Sequence, residues 1–349
     1  MKPKVNIGLI GLGRLGRHYA DYFAYRIPHA NLLAISDVDE KAMAACAEAL
    51  EISKCYPRYE ELIADQQIDA VAIVTPTATH RNMIIEAAKH RKAIFCEKPL
   101  TLSLQQANEI QQAIEQTGVF FQMGFMRRFD KGYVAAKRKI DDGIIGVPVL
   151  FKSSSRDPRR PPLEYADPQT SGGLFVDMGI HDFDLGRWFI GEVNSVYSIA
   201  GALAYPEMQT IGDVDNGVTN MYFENGALGV IDMSRSGVYG YDICTEILGT
   251  KGTIRIGYLR ETPILVMMKE GITHDTVPYF VERFGEAYVA QLKNFVENLL
   301  HEREPPITCA DGIAALAISL AARKSYEENR PVAMKDFLAS SFPWRGFPG

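Results

Sequence analysis

Cysteine is sparse in this chain and carries no pattern. Cys46, Cys55, Cys96, Cys244 and Cys309 are scattered, odd in number and include no CxxC pair. That argues against a disulfide framework or a zinc ribbon and suits a reducing, cytoplasmic setting where thiols stay free. Long apolar runs are missing too. No stretch approaches the ~20 residues that span a bilayer. The first apolar run, Val5–Ile10, is too short, and too soon followed by glycine, to be the core of a signal peptide. Positive charge is in deficit: 37 Lys and Arg minus 43 Asp and Glu leave −6. This is the wrong balance for a general nucleic-acid binder, though not for a small local anion site. There is no internal repeat and no low-complexity tract. What remains is globular composition, 47% apolar and 23% charged, in 349 residues. Such a chain can bury a core without metal or disulfide staples, and its length suggests two domains.

The first 125 residues alternate between two periods. Val5–Ile10, Leu32–Ser36, Ala70–Val74, Ala93–Cys96 and Val119–Met123 are short, β-branched or aromatic runs bounded by turn residues, and they predict buried strands. Between them, Leu15–Tyr25, Glu40–Leu50, Thr79–His90 and Ser103–Gln116 read as helices, the last with a capping-box start and Gly118 after its end. Repeated βα units predict a parallel sheet covered on both faces. The rhythm changes between residues 125 and 147. Strand-like runs then dominate: Val147–Ser154, Val193–Ala200, Gly217–Phe223, Ala227–Met233, Ile243–Leu248, Thr253–Ile256 and Ile264–Met268. Asn225-Gly226 is a hairpin signal and Lys251-Gly252 marks another turn. These runs predict a largely antiparallel sheet, with one helix near Ile180–Phe189 and two closing helices around Gly285–Leu300 and Asp311–Glu327. The expected division is a first domain over residues 1–125, a second over 126–335 and a tail over 336–349.

Gly11-Leu-Gly13-Arg-Leu-Gly16 follows the first strand and opens a helix. In a dinucleotide-binding loop the first glycine permits the tight turn, the second lets the backbone approach a pyrophosphate, and the third lets helix and strand pack closely. The helix N-terminus offers unpaired N–H groups to phosphate. The backbone at Arg14 and Leu15 belongs to that turn. Asp37 ends the second strand about 20 residues on, where an acid accepts the ribose hydroxyls of NAD and repels the 2′-phosphate of NADP. Arg14 or Lys41 within reach would soften that preference. Thr75-Pro76-Thr77, followed by His80, stands at the carboxyl end of another strand. It reads either as dinucleotide-contacting or as a proline turn with a helix cap.

Glu97-Lys98-Pro99 occupies a third such end. Lys98 is a surface charge or a catalytic cation, and the following proline holds it extended. Asp177 and His181 are four apart, on one face of a helix. An acid there can hold an imidazole in one tautomer, and such a histidine can take a hydroxyl proton near neutral pH. An ordinary helix-surface ion pair has the same spacing. Asp177, His181 and Asp184 lack the second His or Cys of a metal site, so no metal is expected.

In that order, Gly11–Gly16, Glu97-Lys98-Pro99 and the Asp177/His181 segment resemble the oxidoreductase family of glucose–fructose oxidoreductase and the inositol dehydrogenases (Gfo/Idh/MocA), most of all its inositol 2-dehydrogenase branch. Gly124-Phe-Met-Arg-Arg-Phe-Asp130, Ser155-Arg-Asp-Pro158, Tyr239-Gly-Tyr-Asp242, Glu246-Ile-Leu-Gly249 and Arg283-Phe-Gly-Glu-Ala-Tyr288 extend the resemblance over roughly residues 4 to 335. The resemblance implies an N-terminal Rossmann domain followed by a C-terminal α+β domain with a large, mostly antiparallel sheet that assembles into a homotetramer. It further implies NAD as cofactor and a small polyol or sugar as substrate. Lys98, Asp177 and His181 match the family's catalytic set. Arg127, Asp157 and Tyr239 or Tyr241 fall where substrate is contacted. Asp157 stands where some myo-inositol enzymes carry Asn, which leaves the ring stereoisomer, or a pyranose, open. Rival readings within the family are a dinucleotide-binding regulator and an NAD-assisted glycosidase.

Overall fold

Six short apolar strands make the first sheet. In the computed structural model, which describes residues 4–341, these are β1 (Val5–Ile10), β2 (Ala30–Ser36), β3 (Lys54–Tyr56), β4 (Ala70–Ile73), β5 (Ala93–Glu97) and β6 (Phe121–Gly124). Their spatial order is β3-β2-β1-β4-β5-β6, and every adjacent pair is parallel. The order reverses between β1 and β4. Such a switch point opens a crevice at the carboxyl ends of the strands. Every residue of β4 is buried, as expected when helices cover both faces.

The covering helices include Arg14–Asp21, Glu40–Leu50, Thr77–Lys89 and Leu104–Thr117. The Asp39 carboxylate caps the second by accepting from Lys41 N and Ala42 N. Ser103 caps the fourth, which ends at Gly118 with φ 64°. The first is shorter than its sequence pattern and passes into a π-turn, Tyr22–Arg26. β3 and the helix Tyr59–Ala64 were not expected; three and six residues are too few to display a period.

By internal contacts the chain forms two units. Among the described residues, one comprises 4–126 together with Tyr288–Leu316; the other comprises Arg127–Ala287 and 317–341. Within the first unit Met123 N donates to Ile307 O at 3.0 Å.

The second unit holds β7 (Pro148–Arg156), β8 (Val193–Gly201), β9 (Asn216–Phe223), β10 (Leu228–Ser234), β11 (Asp242–Gly249), β12 (Thr253–Ile256), the hairpin β13 (Val266–Met268) and β14 (Gly271–Thr273), and β15 (Val332–Ala333). The large sheet runs β12-β11-β7-β10-β9-β8-β15. It is antiparallel except for the parallel pair β7–β10. Asn225-Gly226 turns the chain between β9 and β10, with Gly226 at φ 87°. The run expected as a strand over Ile264–Met268 does not join this sheet. It pairs only within its own hairpin, where its residues are exposed.

One face of the large sheet is covered by the helix Ile180–Ile190. The approach is close at Gly186, where an added Cβ would come within 3.2 Å of Met221 and 3.5 Å of Phe151. The other face is open. Tyr222, Leu228, Leu150 and Leu248 pair across four strands there. A helix at Lys131–Asp141, capped by Asp130, was not expected. Of the expected tail, residues up to Ser341 complete a helix, Met334–Ser341, and the rest lies outside the described residues. Among the described residues, no helix is long and apolar enough to cross a membrane.

Candidate active site

Each glycine of the first loop has its own steric reason. Gly11 sits at φ 98°, and a Cβ there would meet Val74 O at 2.4 Å. At Gly16 a Cβ would lie 2.0 Å from Gly11 O, so only glycine lets the helix start against the turn. Gly13 differs: nothing lies within 4 Å of its missing Cβ. It begins the helix Arg14–Asp21 with no side-chain cap of its own, and a helix N-terminus is where backbone N–H groups receive an anion. Arg14 is exposed and Leu15 half-buried. Asp37 stands beside this loop. One carboxylate oxygen accepts from Leu12 N and the other from Asp39 N at 2.8 Å. An ionised carboxylate has further acceptor positions. An open cradle at Gly13 with an acid at its side fits a dinucleotide.

The next two strand ends are tied together. Pro76 precedes the helix Thr77–Lys89 without capping it; Thr79 Oγ1 donates to Pro76 O at 2.7 Å, and Thr75 and Thr79 hydroxyls meet at 2.8 Å. His80, expected to contact the cofactor, is buried and turned elsewhere. Its ring nitrogens lie 2.8 Å from Pro99 O and 2.9 Å from Thr75 O. Burial lowers its pKa, the carbonyls oppose that shift, and the Lys98 charge adds to it. His80 therefore braces the two turns rather than facing the crevice.

Glu97 departs from expectation in the same way. Its carboxylate points inward, accepting from Tyr19 OH, from Gln291 Nε2 at 3.3 Å and from Lys98 N at 3.1 Å. Burial raises its pKa. Lys98 follows the end of β5, in a bend, and is half-buried. The spacing of the motif did not show the direction of Glu97.

In the second unit Asp177 lies not on a regular α-helix but in a π-turn, Leu174–Met178, which leads through Gly179 into the helix bearing His181. Asp177 Oδ2 is 3.5 Å from Nη2 of Arg235. His181 is buried. Arg127 is buried as well: Nη1 donates to Asp182 Oδ1 at 2.7 Å and Nη2 to Ser155 Oγ at 3.2 Å. Asp182 also accepts from Ser153 and Ser155 hydroxyls at 2.6 and 2.7 Å. Asp157 continues β7, its N–H donating to Ser234 O at 2.8 Å.

The two tyrosines separate. Tyr239 donates to Asp242 at 2.9 Å and accepts from Arg156 at 3.1 Å, on the open face of the sheet. Tyr241 is buried, its pKa raised first by burial and then by the Asp157 charge, within the field of Arg127. The structure thus gathers Tyr241, not Tyr239, with Arg127 and Asp157. Asp182, Arg235 and Asp213 went unrecognised in the sequence; only the fold brings them to these positions. Among the described residues, no His, Cys, Asp or Glu cluster is arranged to hold a metal ion.

Residues 5–125 match a family described as oxidoreductase, NAD-binding Rossmann fold, and residues 137–334 match its C-terminal alpha/beta domain. The chain is 40% identical to a scyllo-inositol 2-dehydrogenase (NAD(+)) of Bacillus subtilis, over 96% of this chain and 97% of that protein. It is also 40% identical to a myo-inositol 2-dehydrogenase of Thermotoga maritima, over 96% and 100%. The crystal structure of a scyllo-inositol dehydrogenase from Lactobacillus casei with bound NAD(H) and scyllo-inositol superposes with a TM-score of 0.90 at 35% identity, covering 95% of this chain and 99% of that one. With both family domains matched in order and nearly the whole length shared, the chain belongs to the Gfo/Idh/MocA oxidoreductase family.

Proposed function

We propose that the protein is an NAD-dependent dehydrogenase that oxidises a ring secondary hydroxyl of an inositol, myo- or scyllo-, to the inosose. The observation that carries this reading is the 40% identity, over 96% of the chain, to relatives named for inositol 2-dehydrogenation. The backbone from Gly11 to Gly16 holds the pyrophosphate, Asp37 takes the ribose hydroxyls, and the Thr75–Thr77 turn borders the dinucleotide. When bound, NAD supplies the acceptor for the hydride leaving the substrate carbon. An imidazole nitrogen of His181 takes the hydroxyl proton. Asp177 holds the ring and offsets the charge it gains. Lys98 Nζ donates a hydrogen bond to the same oxygen as negative charge builds on it. Arg127, Asp157 and Tyr241 supply polar contacts to the remaining ring hydroxyls.

The reading carries with it a cytoplasmic enzyme assembled as a homotetramer, and the open apolar row Leu150, Tyr222, Leu228 and Leu248 supports assembly through that sheet face. The test is NADH absorbance on mixing purified protein with NAD and a panel of inositol isomers and aldoses, repeated with NADP. Turnover of an inositol with NAD is expected. Turnover of aldoses alone moves the substrate to a pyranose; silence across the panel makes the chain a dinucleotide-binding regulator.

A further inference from the structure

Arg235 is the largest side chain in the protein that is wholly buried. It follows the last residue of β10, and its backbone N–H donates to Asp215 O at 2.8 Å. Its guanidinium stands between two acids, with Nη2 3.5 Å from Asp177 Oδ2 and Nη1 3.9 Å from Asp213 Oδ2. Asp213 in turn reaches the π-turn that carries Asp177: its Oδ1 accepts from Leu174 N, the first residue of that turn, at 3.1 Å. It is also the atom that Gly173 makes room for, since a Cβ there would lie 2.5 Å away. Arg235 and Asp213 therefore grip one short turn at two points, its acid and its first backbone N–H.

The geometry is too loose for a stabilising ion cluster. Charge-assisted hydrogen bonds run at about 2.7–2.9 Å, the length that Arg127 and Asp182 achieve in the same unit at 2.7 Å. Arg235 Nη1 and Asp213 Oδ2 make no hydrogen bond at all. So loose a pairing is weak evidence for a stabilising role, although removing the cation alone leaves its acids uncompensated and costs stability. Burial raises the Asp213 carboxyl, with Arg235 opposing and Arg323 of the helix Cys309–Glu328 adding to that opposition. Arg235 is the cation that lies between Asp177 and Asp213.

We infer that Arg235, seated on Asp213, is a positioning residue that fixes Asp177 and preserves its charge for the work of His181. The inference rests on the role proposed for Asp177 above. The experiment is a double-mutant cycle on the full-length protein, with D177N, R235M and D177N/R235M, plus R235K and D213N. It is read by kcat and KM for inositol, NAD affinity and thermal melting. R235M should melt below wild type but bind NAD unchanged, and lose kcat by about tenfold or more. R235K should recover part of that loss. In the D177N background R235M should add nothing further, because it acts through Asp177. Additive losses, or an R235M kcat within twofold of wild type, overturn the inference. If R235M fails to fold, D213N carries the test: kcat must fall with NAD affinity intact. A readout independent of turnover is the titration of the His181 ring in apoprotein by NMR, assigned with H181N. Without Arg235 the Asp177 charge that offsets the imidazolium is no longer preserved, so R235M must move the midpoint downward, and an upward shift overturns the inference. An unmoved midpoint overturns the inference. A wild type silent on every inositol overturns instead the proposed reaction and leaves this titration to decide on Arg235.

Discussion

Substituting Gly13 by Ala should leave the fold intact and cost NAD affinity, whereas Gly16→Ala should damage both. At Gly13 an added methyl meets nothing within 4 Å, and its φ of −64° is ordinary for alanine. No internal atom has to move. The methyl instead occupies the space by which a pyrophosphate would approach the backbone, forfeiting one charge-assisted hydrogen bond worth about 1.5–3 kcal/mol. That corresponds to a Kd for NAD weakened about 10- to 100-fold. At Gly16 the methyl would lie 2.0 Å from a backbone oxygen, Gly11 O. The helix must then retreat by on the order of 1 Å, and overpacking of this kind costs about 1–3 kcal/mol. For a protein of 349 residues that lowers Tm by about 1–4 °C. Thermal melts with and without NAD, together with calorimetric titration, separate the two variants. A Gly13→Ala protein that binds NAD within twofold of wild type, or a Gly16→Ala protein that melts with wild type, would refute the reasoning.

His181→Ala should lower kcat by about 100- to 10,000-fold, the usual worth of a general base, with equilibrium NAD binding unchanged; near-normal turnover would remove His181 from its role. Tyr239→Phe should leave KM for inositol near its wild-type value, because that hydroxyl serves Arg156 and Asp242, while Tyr241→Phe should raise it severalfold. Equal effects in steady-state kinetics would contradict the separation of the two rings. Lys54, 2.6 Å from Asp65, holds that carboxyl at about 2 against its usual 3.8. A depressed carboxyl contributes stability above its unfolded value that is lost as pH falls through the folded one. The difference in urea midpoint between wild type and Lys54→Met should therefore be full at neutral pH and shrink below pH 4, and a constant difference across that range would count against the pair.

The sequence was most legible where burial leaves no choice. β4 is apolar throughout, and β1 nearly so but for Asn6, because helices cover both faces of a parallel sheet, and the alternation along β9 and β10 reports one covered face. The glycine loop was readable because its constraint is local: the clash that fixes Gly16 is with Gly11, five residues away. The side-chain directions of His80 and Glu97 were not readable, for the opposite reason. Both stand near strand ends that line the crevice, yet the pleat and the opening helix turn each one inward, and motif spacing is blind to that direction. Arg235 lies 58 residues from Asp177 and meets it only through the pairing of β9 with β10. No window of sequence contains that contact.

β7 divides two tasks within a single strand. Ser153 and Ser155 point to the covered face and serve Asp182. Lys152, Ser154 and Arg156 point to the open face, where they meet Glu246 and Asp232. Because side chains alternate with a period of two, one set can be rewritten while the other stands. The support of Arg127 and Asp182 and the properties of the outer sheet surface are thus separable traits on the same nine residues, open to independent drift or design. The same arithmetic sets the limit: a one-residue insertion or deletion inside β7 would exchange the two sets past that point, sending Lys152 or Arg156 toward the buried arginine and Ser153 and Ser155 into solvent.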